Sequence, residues 1–451
     1  MSGQNIVFAV ATKVVIQGMI LALLLLYFSG AQTVALATTG APIFHKGGIG
    51  ECDGCHLMHD LTKNVTTSSR TELTTNNAIR LKGADPSSTC LKCHEAPGVA
   101  RQPMEHYIAT SSAGVGGGLP PREFTPGGDF GWLKKSYRWS TGLASQEENR
   151  GERHGHNIVA MDFNFVADAN IQVSPGGAYP ASNLSCVSCH DPHGKYRRSA
   201  DGAISTKGFP IIASGSYISS PEPGAQGTVG SYRLLGGKGY RPASLLGGGE
   251  FTADPPAAVA PDSYNRGESA IETRVAYGKG MSEWCGNCHQ AIHSDPNSGN
   301  SSHPAGNLAR LNAEIITNYN SYVGSGNLNG DTNTAYTSMV PFEMGTDDYG
   351  ILKRTANSNG SDRTGPSSNA NVMCLSCHRA HASGWDSMTR WNTNSTFIVY
   401  NGHYPGIDNG APADIAQGRT SAEVQAAFYG RSADSYATYQ RSLCNKCHAK
   451  D

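Results

Sequence analysis

The sequence predicts a chain that is mostly coil, with short α-helices and very little β-structure, folded around something other than an aliphatic core. Three observations lead there. The first is composition: of 451 residues only 38% are hydrophobic, while Gly reaches 54 and Pro 23. Such a chain is rich in turns and irregular segments. The second is the spread of 19 Tyr, 12 Phe and 5 Trp along the chain, which excludes a disordered polymer. The third is the cysteines. All twelve fall in six copies of one motif, C-x-x-C-H, and none is left over.

The copies are Cys52-Asp-Gly-Cys55-His56, Cys90-Leu-Lys-Cys93-His94, Cys186-Val-Ser-Cys189-His190, Cys285-Gly-Asn-Cys288-His289, Cys374-Leu-Ser-Cys377-His378 and Cys444-Asn-Lys-Cys447-His448. This is the attachment signature of c-type haem. Cysteines three apart share one side of a helical turn, so both thiols reach the vinyl groups of one porphyrin. The adjacent His then lies beneath the iron, where imidazole is a suitable axial ligand. A disulfide framework or a zinc site does not produce six identical motifs without a stray Cys. The fold class is therefore a multihaem cytochrome c with six covalent haems, with a short helix expected at each motif.

Six haems need six further axial ligands to be closed on both faces, and ten other histidines are available. His59, His193 and His381 follow their motif His by three positions, and His293 follows its own by four. On a continued helical turn these cannot cross to the far face of their own iron, but they can reach a neighbouring haem. His156, His303 and His45 are the next candidates. These seven exceed the six places, so one is superfluous. His106 is a weaker candidate, and His154 and His403 read as solvent-exposed side chains on polar stretches. With both faces closed, the haems carry electrons rather than bind substrate, and no catalytic residue is expected.

The N-terminus reads as an export signal. Val14 to Phe28 is apolar, Lys13 precedes it, and the small-residue site Ala35-Leu36-Ala37 follows. The apolar run is shorter than the ~20 residues of a spanning helix. Residues 1–37 are assigned as signal peptide, with cleavage near 37–42, and 38–451 as a single cytochrome domain. The mature chain offers roughly 70 residues per haem, too few for a separate domain around each. Longer helices are expected over Asn307 to Tyr322 and Thr420 to Tyr429, the second with the capping pattern Thr420-Ser421-Ala422-Glu423. The Gly- and Pro-rich stretches Gly114 to Gly128 and Gly224 to Pro261 read as coats over haem faces. No repeat is evident beyond the motif itself. The 35 basic and 36 acidic residues nearly balance, and no basic run points to nucleic acid. Asn327 to Asp331 reads as a turn rather than a calcium loop. Lys195-Tyr196-Arg197-Arg198 fits either haem-propionate pairing or a solvated basic turn.

Beyond the motifs, longer strings resemble the OmcS-type hexahaem outer-surface cytochromes of metal-reducing bacteria. They include Phe44-His45 with Glu51-Cys-Asp-Gly-Cys-His56 and Met58-His59, Thr125-Pro-Gly-Gly-Asp-Phe-Gly-Trp132, Gly151-Glu-Arg153 with Gly155-His-Asn-Ile-Val-Ala160, and Ser188-Cys-His-Asp-Pro-His-Gly-Lys-Tyr-Arg-Arg198. Val275-Ala-Tyr-Gly278 with Gly280-Met-Ser-Glu-Trp-Cys285, Cys374 to Gly384 and Cys444 to Asp451 complete the set. The resemblance spans the mature chain. It implies head-to-tail extracellular filaments in which a continuous chain of haems runs through the polymer. It also implies that His59 ligates the fifth haem, on Cys374, Cys377 and His378, of the next protomer. His154 and His403 lie at positions the family does not share.

The expected function is extracellular electron transfer: outer-membrane or periplasmic cytochromes donate, and external metal oxides or electrodes accept. Two alternatives stand beside it. A soluble periplasmic shuttle shares the haem chemistry without the polymer. A multihaem oxyanion reductase needs one haem with an open face.

Overall fold

The computed structural model describes residues 52–57, 81–97, 106–142, 145–242, 249–262, 274–292, 305–335, 340–356 and 363–448, all within one unit, Ile43–Asp451. The expected signal peptide and the candidates His45, His59, His293 and His303 lie outside the described residues.

Helices are short. They are α1 (Cys52–Cys55), α2 (Pro86–His94), α3 (Cys186–Cys189), α4 (Met281–Cys285), α5 (Ala313–Ser321), α6 (Thr332–Ala335), α7 (Tyr349–Thr355), α8 (Cys374–Cys377), α9 (Ala413–Ala416) and α10 (Ser421–Ala427). Every motif begins in or overlaps a helical turn, the last one in a 3-10 turn, Leu443–Lys446. Local chemistry explains the starts. Asp85 caps α2 by accepting from the Ser88 N–H at 2.7 Å, with Pro86 as the first helical residue. In α3 and α8 the serine at the third helical position reaches back instead: the Ser185 N–H donates to Ser188 Oγ at 2.9 Å, and the Met373 N–H to Ser376 Oγ at 3.1 Å. The two longer helices expected from sequence are both present but shorter. Asn312 caps α5 and Thr420 caps α10.

Strands are brief. β3 (Tyr137–Ser140) and β4 (Gln146–Asn149) form an antiparallel hairpin. The largest sheet has four strands, Ile204–Ser205, Arg197–Arg198, Thr228–Gly230 and Ile211–Ala213, in that order. This sheet corrects the reading of Lys195 to Arg198 as a solvated turn. Arg198 is buried in the second strand, and its guanidinium donates to the carbonyls of Gly202 at 3.0 Å and Pro256 at 3.2 Å. Asp331 is a helix cap, accepting from the N–H groups of Asn333 and Thr334, consistent with a turn at 327–331.

Aromatic side chains fill the largest core: Trp132, Tyr137, Tyr319, Phe342, Trp385, Trp391, Tyr404, Phe428, Tyr429 and Tyr436. Among the described residues no helix is long and apolar enough to cross a membrane.

A candidate multihaem site

The six motifs follow one another through space in their sequence order. The Cys55 thiol lies within electrostatic reach of Cys90 and Cys93. Cys90 and Cys186 hydrogen-bond to each other. Cys189 stands beside Cys288, Cys285 hydrogen-bonds to Cys374, and Cys377 stands beside Cys444 and Cys447. No two of the twelve cysteines are joined as a disulfide. Burial pushes Cys288 and Cys377 up to about 11 and Cys189 and Cys447 up to about 12. Among the described residues no three His, Cys, Asp or Glu converge as a zinc site requires.

Two of these junctions share a construction. The Cys186 N–H donates to Ser87 Oγ at 3.1 Å, and the Cys374 N–H donates to Ser282 Oγ at 3.1 Å. Ser87 and Ser282 each stand three residues before the first Cys of their own motif, on α2 and α4. The second and third motifs are thus joined as the fourth and fifth are.

The odd-numbered motifs share another. After each, the chain returns and hydrogen-bonds to the second motif Cys: Lys82, Gly236 and Arg390 donate backbone N–H to the carbonyls of Cys55, Cys189 and Cys377 at 2.9, 3.0 and 2.8 Å. In the third and fifth motifs the return passes through consecutive left-handed residues, Arg233-Leu234 and Ser387-Met388. The carbonyls at those kinks accept from His190 Nδ1 at 2.7 Å and His378 Nδ1 at 2.9 Å. A repeat therefore exists beyond the motif. Its partner strands lie from nine to 47 residues downstream and share no sequence.

Imidazoles face one another in four pairs. Ring centres are separated by 6.5 Å in His56–His193, 6.0 Å in His94–His106, 6.4 Å in His190–His381 and 6.1 Å in His289–His156. Two metal–imidazole bonds of about 2 Å, plus about 1.2 Å from each nitrogen to its ring centre, give about 6.4 Å. The rings are therefore spaced for one metal ion between them. Besides His190, three of them have the outer nitrogen held as metal-binding histidines require: Nδ1 donates to a backbone carbonyl from His94 (His106, 2.6 Å), His156 (Ala380, 2.7 Å) and His289 (Pro175, 2.8 Å). Burial holds His156 near 4 and His381 near 3, so both are neutral, the form that coordinates metal.

Two of the facing residues are braced on each other. The His156 N–H donates to the His381 carbonyl at 2.9 Å, and the His381 N–H donates to the Gly127 carbonyl at 2.7 Å. His381 also stacks on Phe130, ring centres 4.7 Å apart. The Thr125–Trp132 segment is organised by buried Asp129, which accepts from the N–H groups of Thr110, Arg122, Glu123 and Gly131 and from the Thr110 hydroxyl. The glycine-rich end of the Gly114–Gly128 stretch thus holds the backbone of a facing histidine.

His106 was the weaker candidate by sequence, yet it faces His94. It enters through β2 (Ala109–Thr110), which pairs in parallel with β1 (Glu95–Ala96), directly after the second motif. A two-residue pairing leaves no readable signal. His154 is corrected in the other sense: it is wholly buried, not exposed. Nδ1 contacts the Trp132 carbonyl at 2.9 Å and Nε2 contacts Asn149 Oδ1, so both nitrogens are engaged. His403 is exposed, as expected. No described imidazole faces His378.

The chain is 51% identical over 424 residues, 93% of its length, to the c-type cytochrome OmcS of Geobacter sulfurreducens, 97% of which is covered. The chain belongs to the OmcS family of c-type cytochromes. Two solved structures, OmcS nanowires by cryo-electron microscopy and an outer membrane cytochrome S filament, both from Geobacter sulfurreducens, match it with TM-score 0.81 and 50% identity. Each match covers 90% of this chain and 100% of the other. No family model matches. Membership in this family of c-type cytochromes fits the coil-rich fold and implies covalently bound haem c.

Proposed function

We propose that this OmcS-family chain carries six haems c, one per motif, and passes electrons along them in sequence order through a head-to-tail extracellular polymer. The cysteines attach each haem, and the motif histidines His56, His94, His190, His289, His378 and His448 supply one axial ligand each. His193, His106, His381 and His156 supply the second ligand at the first four. Each bound haem supplies an iron that exchanges one electron without breaking a bond. The protein holds both axial ligands so that little rearranges when charge moves.

A two-step offset in the histidines carries the polymer. The His three residues beyond the third motif, His193, faces the first motif. The equivalent residue beyond the fifth, His381, faces the third. Continuing this offset, the fifth motif requires the His beyond a seventh, and the chain has only six. His59, which holds the same position beyond the first motif, fills that place when it comes from another copy. Such a contact joins two different surfaces and propagates without closing. The OmcS filaments, 50% identical to this chain, support the same reading. His293, His303 and His45 remain for the sixth motif. Cytochromes of the cell envelope donate the electrons, and external metal oxides or electrodes accept them.

Electron microscopy of secreted protein, with a haem spectrum of wild type and His59→Ala, tests this. Filaments in the wild type, lost or shortened in the variant as one haem turns high-spin, are expected. Dispersed particles in both, with every haem low-spin, would establish a soluble shuttle instead.

A further inference from the structure

A wholly buried carboxylate stands where the fourth and fifth motifs meet. Glu343 has no exposed surface. Its Oε1 accepts from the Met281 N–H at 2.7 Å, the first residue of α4, and its Oε2 accepts from Asn371 Nδ2 at 2.6 Å. Backbone bonds between Glu343 and Asn371, 3.1 and 3.0 Å, tie it to the segment that enters Cys374. The side chain therefore bridges the start of the fourth motif's helix to the approach of the fifth. Cys285 and Cys374 touch each other beside it.

No described lysine, arginine or histidine forms an ion pair with it. The groups around it are Glu283 on α4, Cys374 on α8, Asn371, and Tyr277 on the strand Ala276–Tyr277 that bridges to Glu343. Arg310, whose strand bridges to Asn371, directs its guanidinium to the Asn369 carbonyl instead. Two hydrogen bonds favour the ionised form, but burial outweighs them and the Glu283 charge adds to it, raising the carboxyl to about 7. The other junction is built differently. Its helix-capping carboxylate, Asp85, keeps partial exposure and also serves Met161 N–H at 2.7 Å.

We propose that Glu343 is a proton-binding site coupled to electron transfer. The carboxylate takes one proton from solvent as one electron arrives on the haems of the fourth and fifth motifs, and it releases that proton as the electron leaves. An added negative charge beside a desolvated, unpaired carboxylate raises the energy of both, and one proton relieves it. The residue thereby makes the potential at the centre of the chain pH-dependent. The proposal rests on the haem reading of these two motifs.

Reduced-minus-oxidised infrared spectra and potentiometric titrations of the haem-loaded protein test it, for wild type and Glu343→Gln. In the wild type a protonated-carboxyl band grows on reduction, and potentials fall as pH rises through the unit on either side of about 7. In Glu343→Gln, which keeps the shape and an acceptor oxygen, the band is lost and the pH dependence in that window flattens. A wild type with no such band overturns the proposal without any variant, as does a variant that keeps both band and slope. Haem spectra taken alongside separate the two readings: fully reducible low-spin haems in both proteins leave electron transfer standing whichever way Glu343 falls.

Discussion

His56 and His193 stand with ring centres 6.5 Å apart and planes within 5° of parallel, although one belongs to the first motif and the other follows the third. His190 and His381 repeat the offset from the third motif to the fifth, at 6.4 Å, with the rings set edge-on. The first and third motifs are thus each faced by a histidine that folds back from two motifs later. The His56–His193 pair can form only once the chain has reached its third motif.

His106 sharpens the ligand assignment. His106→Ala keeps the carbonyl that accepts from His94 Nδ1 and removes only the facing ring. One haem becomes high-spin in the optical and paramagnetic resonance spectra, while His403→Ala leaves every haem low-spin. An unchanged spectrum for His106→Ala would remove it as a ligand.

His154 acts on stability rather than on haem. It sits among Trp132, Asn149, Tyr137 and Arg419, and Arg419 Nη2 donates to the same Asn149 oxygen at 2.7 Å. His154→Ala leaves a cavity and buried groups without partners, costing about 2–4 kcal/mol in denaturant unfolding with an unaltered haem spectrum. Burial and the Arg419 charge lower this histidine from 6.5 to about 3. A basic group with a depressed folded-state value contributes stability that is present above its unfolded value, here 6.5, and lost as pH falls toward 3. Unfolding of wild type at stepwise lower pH shows this loss, and His154→Gln reduces it.

Gly128 is required by the close approach of two segments of the chain. It sits at φ +95°, and a Cβ there would run into the Ala382 carbonyl oxygen. The neighbouring Gly127 carbonyl holds the His381 N–H. Gly128→Ala is expected to cost about 3 kcal/mol or more and to loosen His381, so that instability appears together with altered ligation at the third haem. Instability with a normal spectrum would separate the glycine from the site.

The sequence alone determined the chemistry. A C-x-x-C-H motif brings two thiols and an imidazole together within one helical turn, so Cys52 to His56 and its five counterparts are legible without any fold. The same locality made the cap of α10 readable, and it singled out His59, His193 and His381 by their fixed offset. Tertiary structure decided which residues meet. His106 reaches His94 through a two-residue parallel pairing, His156 reaches His289 by leaning on the His381 backbone, and Glu343 reaches the fourth and fifth motifs by pairing with Asn371. Those partners come from distant segments with no shared pattern. Their meeting depends on the path of loops whose glycines and kinks take their meaning only from what they pack against, and for that reason a polar stretch hid His154 in the core.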